Sequence, residues 1–316
     1  MRAVLIARPG GPEVLELRDV PPPLPADGEV RVRVRAFGIN RADLLQRRGL
    51  YPAPPDAPRD IPGLEFAGEV EKSGEKVMGI VGGGAYAEYV TVPADQSIPI
   101  PTGLSFAEAA AVPEAFLTAF DALERLAVTA GDWVLVHAVG SGVGTAAVQL
   151  IHARGARSVG TSRTPAKLEK ARALGLDEGV VGTPDDLRRS VRAATGTGVH
   201  AAVDLIGGPL FPVTLEVLRD RGRLILVGLT AGARAEVDLG VILRKRLRVE
   251  GTVLRTRDRV EKAALAAAFR AAVLPLFERG ILQPVLDRTL PLERVAEAHA
   301  RLEANENFGK VVVEVP

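Results

Sequence analysis

The sequence predicts an α/β protein of two lobes, one rich in β-strands and one built on a doubly wound parallel sheet. Three observations carry this. The chain has 316 residues, whereas single hydrophobic cores stop growing near ~250–300. Up to residue 114 the pattern is one of short alternating strands punctuated by turn residues. From residue 115 apolar strands alternate with helical stretches around a glycine-rich turn, the order that specifies parallel strands joined by crossover helices. The lobes are therefore set at 1–114 joined by 253–316, and at 115–252. The last segment completes the first lobe, because it holds no second glycine turn.

In the first lobe, Glu29-Val30-Arg31-Val32-Arg33-Val34-Arg35 alternates strictly, with valines on one face and arginines on the other, as in a half-buried strand whose charged face is solvated. Residues 85–90 read as a further short strand. Pro21-Pro22-Pro23 and Tyr51-Pro52-Ala53-Pro54-Pro55 mark loops. In the second lobe, residues 133–138 form an apolar strand, Gly140-Ser141-Gly142-Val143-Gly144 the turn, and 145–154 a helix. A strand at 158–161, a helix at 167–174 and strands at 201–205 and 224–227 follow. Residues 247–253 alternate like an edge strand. A helix at 261–278, another at 291–304 and a closing strand at 310–315 complete the chain.

Composition excludes several classes. With 47% hydrophobic and 25% charged residues the chain lies in the ordinary globular range. Forty basic and 39 acidic residues leave a net charge of +1, which gives no global field for nucleic acid or an anionic membrane. Arg244-Lys245-Arg246 with Arg248 is a local basic cluster, read as a solvated strand edge. The absence of cysteine removes disulfides, thiolate nucleophiles and cysteine-ligated zinc. No apolar run reaches the ~18–20 residues of a membrane span, and Met1 to Ala7 lacks the flanks of a signal peptide. A cytoplasmic protein is expected.

A strand ending in a glycine turn that opens a helix can hold a pyrophosphate on unpaired N–H groups at the positive helix end. Ser141, Gly142, Val143 and Gly144 are the candidates; Thr145 falls where a third glycine would complete the usual fingerprint, and a plain strand–helix turn is the alternative. An acid at the end of the following strand would select NAD through the ribose hydroxyl. Here that stretch reads Thr161-Ser162-Arg163-Thr164, with Lys167 beyond and no carboxylate. Arg163, Thr164 and Lys167 suit a 2′-phosphate, which points to NADPH; solvated residues at a helix start are the alternative. His137, His152, His200 and His299 lack metal-ligand spacing, so no metal site is expected, and His137 reads as a buried, hydrogen-bonded histidine. No Gly-x-Ser-x-Gly elbow supports a hydrolase.

Several phrases together resemble the medium-chain dehydrogenase/reductase superfamily, specifically its zinc-free zeta-crystallin-like quinone oxidoreductases. They are Gly38-Ile39-Asn40-Arg41-Ala42-Asp43-Leu44, Gly63-Leu64-Glu65-Phe66-Ala67-Gly68, Pro113-Glu114-Ala115-Phe116-Leu117-Thr118-Ala119, Ser141-Gly142-Val143-Gly144-Thr145-Ala146-Ala147 and Asn307-Phe308-Gly309-Lys310. The resemblance implies a GroES-like catalytic domain and a Rossmann cofactor domain with a cleft between them. Asn40 and Leu64 stand where zinc-dependent members carry a cysteine and a histidine ligand, with Glu65 retained. It also implies that Asn40, Asp43 and Tyr51 line the catalytic side. Asn40 positions substrate or nicotinamide, and Tyr51 donates to the acceptor oxygen or else satisfies a backbone group. A structural pairing is the alternative for Asp43. Thr118, Gly228, Leu229, Asn307, Phe308 and Lys310 are implied on the nicotinamide side.

Without a Lewis acid, hydride transfer needs an acceptor that requires little activation, and quinones meet that demand. The alternatives are an activated C=C bond, as in an enone, alkenal or enoyl thioester, and a nucleotide-binding structural or RNA-binding protein. Two departures from the family pattern stand out: the hairpin between Val70 and Val77 is short, and Val181-Gly182 replaces a tyrosine found in several relatives. The edge strand at 247–253 predicts a homodimer paired across a two-fold axis.

Overall fold

The alternation at residues 29–35 becomes the strand Glu29–Gly38, around which the first unit is built. A computed structural model describes residues 1–181 and 183–316. The chain divides into two units, Met1–Leu117 with Leu254–Pro316, and Thr118–Val253. In the first, the strands run Leu286–Pro291, Lys310–Glu314, Glu29–Gly38, Glu65–Val70, Lys76–Ile80 and Ile98–Pro99, with Tyr89–Pro93 also paired to Glu29–Gly38. All pairs are antiparallel except the first. Val32 and Val34 enter a core shared with Phe37, Phe66, Tyr86 and Val313. The arginine face is not simply solvated. Arg31 pairs with Glu71 at 2.6 Å and Arg35 with Glu69 at 2.9 Å, both carboxylates lying on or just beyond the neighbouring strand. The short hairpin closes without strain on the sheet: Gly74, at φ +73°, donates its N–H to the Val70 carbonyl at 2.8 Å.

Residues 85–88 do not themselves form a continuous strand; the strand there begins at Tyr89. They meet the strand Arg2–Ile6 only at an isolated antiparallel bridge, Ala87 opposite Ala3, with Tyr86 accepting from Val4 and Glu88 donating to Arg2, while the Tyr86 N–H goes to Pro62. What fixes this segment is the burial of the Tyr86 ring, stacked on Phe37 at 4.2 Å between centroids. The long helix read at 261–278 is two helices, Arg259–Ala272 and Leu274–Glu278. Pro275 breaks the run because it has no N–H to continue the ladder.

Tyr86 belongs to a buried hydrogen-bonded chain with a fixed direction. Arg47, fully buried, donates to His299 Nδ1 at 3.3 Å, to the Gly10 carbonyl at 3.1 Å and to Glu303 at 2.9 Å. A guanidinium can only donate, so His299 Nδ1 accepts and its Nε2 carries the proton. That N–H faces the Tyr86 hydroxyl at 3.0 Å, and the hydroxyl donates to Asp43 Oδ2 at 3.0 Å. Burial, assisted by Arg47, lowers the His299 pKa to about 3. Asp43 Oδ2 also takes the Asn40 N–H at 2.7 Å, at the start of the helix Arg41–Arg47. The chain thus ends by fixing the backbone of Asn40.

The second unit is a six-stranded parallel sheet, in the order Glu178–Val180, Arg157–Thr161, Trp133–Val136, Val199–Asp204, Leu218–Leu226, Arg248–Gly251. Numbered by sequence this is 3-2-1-4-5-6, the Rossmann order, whose direction reverses between Trp133–Val136 and Val199–Asp204. The glycine turn follows the first of those strands. Leu135, Val159, Ala202, Val213 and Leu224 pack its core. Its helices include Gly142–Ala153, Pro165–Arg172 and Pro184–Thr195, the last begun by a capping box between Thr183 and Asp186.

Two stability measurements follow. Tyr86→Phe leaves the His299 N–H without a partner and Asp43 Oδ2 with the Asn40 N–H alone, a cost of about 1–3 kcal/mol, to be read as a lower urea midpoint with unchanged m-value. Desolvation raises the Asp43 pKa from 3.8 to about 6. The native state then holds this proton more tightly than the unfolded chain. Its contribution is full below pH ~4 and is lost as pH rises through about 6, by roughly 3 kcal/mol. Asp43→Asn removes that loss, so its stability relative to the parent improves by about 2 kcal/mol between pH 4.5 and pH 7.5, the remainder of the loss lying below pH 4.5. An unchanged difference in chemical denaturation would refute the assignment.

Candidate functional site

In the second unit the turn after Trp133–Val136 is shaped by two backbone requirements. Ala138 takes φ +51°, an uncommon conformation for a residue with a Cβ. Gly144 packs so closely on the Ala138–Val139 backbone that a Cβ would lie 2.7 Å from Val139 Cα. The helix begins at Gly142, earlier than the sequence suggested, so both glycines lie in its first turn. Ser141 caps it, its hydroxyl accepting the Gly144 N–H at 3.0 Å. The N–H groups of Gly142 and Val143 have no partner among the described residues, as the first turn of a helix leaves them. This is a cradle of the size and polarity a phosphate needs, so the residues present fit a dinucleotide.

Thr161 ends the second strand. Arg163 and Thr164 are exposed, and Thr164 precedes the helix Pro165–Arg172. Lys167 is half-buried, its stem lying across Gly140, where a Cβ would meet its Cδ at 2.8 Å. Val181 is exposed, while Gly182 lies outside the described residues. Gly228 approaches the Leu205 carbonyl so closely that a Cβ would sit 2.8 Å from its oxygen, and Leu229 is exposed. Thr118 is buried in the helix Pro113–Arg125. His137 is structural: its nitrogens meet the hydroxyls of Thr161 at 2.9 Å and Thr214 at 2.8 Å. In the basic cluster, Arg244 pairs with Asp238, Arg246 with Asp220, and Lys245 donates to the carbonyls of Glu216 and Leu218.

In the first unit, Asn40, Asp43, Glu65 and Lys310 converge. Lys310, 5% exposed, donates to Asn40 Oδ1 at 2.6 Å and to the Ile39 carbonyl at 2.9 Å, and pairs with Glu65 Oε1 at 2.5 Å. Glu65, with no exposure, also accepts the Asn40 side-chain N–H at 2.8 Å and the Glu114 backbone N–H at 2.8 Å. Gly38 makes room for this carboxylate; a Cβ there would strike it and lie 2.8 Å from the Ala110 carbonyl oxygen. Asn307 spends its amide on the Gly309 carbonyl at 2.8 Å, and Phe308 is buried, its N–H held by Asp287 at 3.0 Å.

Tyr51 is half-buried, and its hydroxyl has no hydrogen-bond partner among the described residues. Arg255 lies 4.9 Å from its ring centroid and is held by Gln46 at 2.6 Å and the Gly82 carbonyl at 2.8 Å. Desolvation raises the Tyr51 pKa, with Arg255 opposing it. Desolvation and then repulsion from Glu65 raise the Glu114 pKa from 4.5 to about 8. Sequence reasoning missed Glu114 and Arg255. Glu114 lay inside a quoted phrase, but nothing local marked its carboxyl; Arg255 stands about 200 residues from Tyr51 and carried no signal.

There is no cysteine, Glu65 is surrounded by N–H donors, and among the described residues no group of three or more His, Cys, Asp or Glu could hold a metal ion. Among the described residues no helix is long and apolar enough to cross a membrane.

The family described as "Alcohol dehydrogenase GroES-like domain" matches residues 26–102, and that described as "Zinc-binding dehydrogenase" matches 142–270. The chain is 32% identical to a quinone oxidoreductase of Pseudomonas aeruginosa over 328 residues, covering 99% of each. Among solved structures it resembles the quinone oxidoreductase of Thermus thermophilus, also solved with NADPH, at 35% identity and TM-score 0.88 over 100% of both chains. It equally resembles a protein titled NAD-dependent alcohol dehydrogenase, at 35% identity and TM-score 0.89, again over 100% of both. With a GroES-like and a Rossmann-type domain matched along its length, the chain belongs to the medium-chain dehydrogenase/reductase family and is an oxidoreductase.

Proposed function

We propose that this protein reduces a quinone with NADPH, without zinc. The observation that supports this best is the Glu65–Lys310–Asn40 cluster, in which an internal ammonium fills the carboxylate's surroundings and, among the described residues, no group of three or more His, Cys, Asp or Glu offers a metal ion a donor set. A carbonyl acceptor reduced there must be reactive without metal polarisation, and a quinone is; its reduced form is a phenolate that can be protonated late. An unactivated ketone would need more.

When bound, the reduced nicotinamide supplies the hydride. The N–H groups of Gly142 and Val143, at the positive end of their helix, would hold the pyrophosphate. Arg163, Thr164 and Lys167 would take the 2′-phosphate, since no carboxylate stands there to repel it. Asn40 has its carbonyl oxygen and one amide hydrogen fixed by Lys310 and Glu65. Its second amide hydrogen remains to orient an acceptor or the nicotinamide amide. Asp43 serves Asn40 from behind, and Tyr51 presents its hydroxyl from the same unit.

Initial rates of NADPH and NADH oxidation, with a planar ortho-quinone and a medium-chain 2-alkenal as acceptors, test the reading. NADPH-dependent quinone turnover is expected to exceed alkenal turnover, and the reverse order would move the function to C=C reduction. Arg163→Glu should raise the KM for NADPH about tenfold, equivalent to ~1.4 kcal/mol, and leave that for NADH unchanged. Arg248–Gly251 is the edge of its sheet, with Val249 and Val253 exposed. The proposed homodimer pairs these edges, and light scattering at micromolar concentration should give twice the chain mass; a monomer mass refutes it.

A further inference from the structure

We propose that His137 is a positioning residue for the cofactor: it orients the Thr161 hydroxyl that holds Ala138 in the left-handed conformation from which the glycine turn starts. The inference rests on the reading that this turn holds the pyrophosphate. His137 follows the strand Trp133–Val136, has no exposure, and donates its backbone N–H to the Val203 carbonyl at 3.1 Å. Its ring nitrogens reach two further elements. Nδ1 meets the end of the strand Arg157–Thr161, and Nε2 meets the helix Leu210–Val217.

The directions of these bonds are fixed. The Thr214 hydroxyl gives its single hydrogen to the Leu210 carbonyl at 2.7 Å, so it accepts from His137 Nε2 at 2.8 Å. Burial pushes the His137 pKa down, with Asp204 opposing, and the ring is neutral at pH 7. With the proton on Nε2, Nδ1 is an acceptor, and the Thr161 hydroxyl donates to it at 2.9 Å. The lone pairs of Thr161 Oγ1 are left for the Ala138 N–H at 3.4 Å. A hydroxyl free to rotate would turn its hydrogen toward that N–H part of the time; the imidazole prevents it.

Ala138 is the residue of the turn that most needs holding. Its φ of +51° is unfavourable for a residue with a Cβ, and the rest of the turn is built on it. Its carbonyl accepts the Ser141 N–H at 2.9 Å, Ser141 caps the helix through Gly144, and Gly144 packs on the Ala138–Val139 backbone. Val139 in turn donates to the Thr161 carbonyl at 3.0 Å. Thr161 thus grips the turn through both its backbone and its hydroxyl, and it leads directly into Arg163 and Thr164. His137 therefore sets the phosphate cradle against the segment proposed for the 2′-phosphate. Without the imidazole the turn leaves its binding conformation part of the time, and affinity falls by the fraction that remains competent.

Two readouts test this, the first without cofactor. NMR of the ligand-free protein, ¹⁵N-labelled at histidine, should show His137 as the Nε2–H tautomer at pH 7, and a proton on Nδ1 overturns the proposal. The second is calorimetric titration with NADPH. His137→Phe keeps an aromatic ring but no acceptor, and should bind NADPH about tenfold more weakly. His137→Asn, whose Oδ1 can stand in for Nδ1, should recover part of the affinity. Glycine adopts the left-handed conformation without a holder, so Ala138→Gly added to His137→Phe should restore most of the affinity while stability to urea stays lowered. Parental affinity in a folded His137→Phe, or a weakened affinity that Ala138→Gly does not restore, overturns the proposal. Should His137→Phe fail to fold, Thr161→Val with and without Ala138→Gly puts the same question, with the same loss and recovery expected. A parent protein that binds neither NADPH nor NADH instead overturns the reading of the turn on which the proposal rests.

Discussion

Glu65 and Lys310 bring opposite charges together out of water, 2.5 Å apart, with 0% and 5% exposure. Desolvating two such ions costs several kcal/mol each, and attraction between them offsets that only when their remaining hydrogen-bonding capacity is filled. Here it is filled. The carboxylate takes N–H groups from Asn40 and Glu114 as well as the ammonium, and the ammonium takes two further oxygens. Four pieces of chain are tied by this pair: the end of Glu29–Gly38, the start of Glu65–Val70, the start of Lys310–Glu314 and the helix at Pro113. The pair orients Asn40 in two directions at once.

Two carboxyl groups joined through one backbone N–H end up with opposite characters. Glu65 is supplied with three donors and forms an ion pair, whereas the Glu114 carboxyl has no donor among the described residues and is pushed toward its neutral form by desolvation and by Glu65. Differences of environment of this kind are how a protein assigns a charged and a protonated role to the same functional group. Behind them, the chain from Arg47 through His299 and Tyr86 to Asp43 has a single polarity set by the guanidinium, because only one histidine tautomer satisfies both neighbours. Asp43 Oδ1 has no hydrogen-bond partner among the described residues in this buried setting, so the chain leaves part of one carboxyl uncompensated.

The second unit solves a different problem with backbone alone. Its phosphate-sized cradle needs Ala138 in an uncommon conformation and Gly144 against the preceding strand end. Thr145 in place of a third glycine is accommodated because its hydroxyl turns back to the Gly142 carbonyl at 2.9 Å. The reversal of strand order beside this turn opens the space above it, as in other sheets of this topology.

Local pattern and composition are enough to establish the two-lobed plan, the parallel sheet with its glycine turn, and the poverty of metal donors, because each is written in periodicity, in residues with special backbone freedom, or in the residue count. Asn40, Asp43 and Lys310 were placed near the chemistry through resemblance rather than through any local property. Boundaries shifted where tertiary bonds outweighed pattern, as at residues 85–88, whose apolar alternation serves the burial of Tyr86 and a single bridge to Ala3 rather than an extended ladder. It took the folded chain to pair Glu65 with Lys310 near the far end of the sequence, to bring Arg47 to His299 across 252 residues, and to leave Glu114 unpaired among them. Such juxtapositions have no signature along the chain, since a carboxyl's charge and reach depend on the groups that folding brings around it and on the water that folding removes.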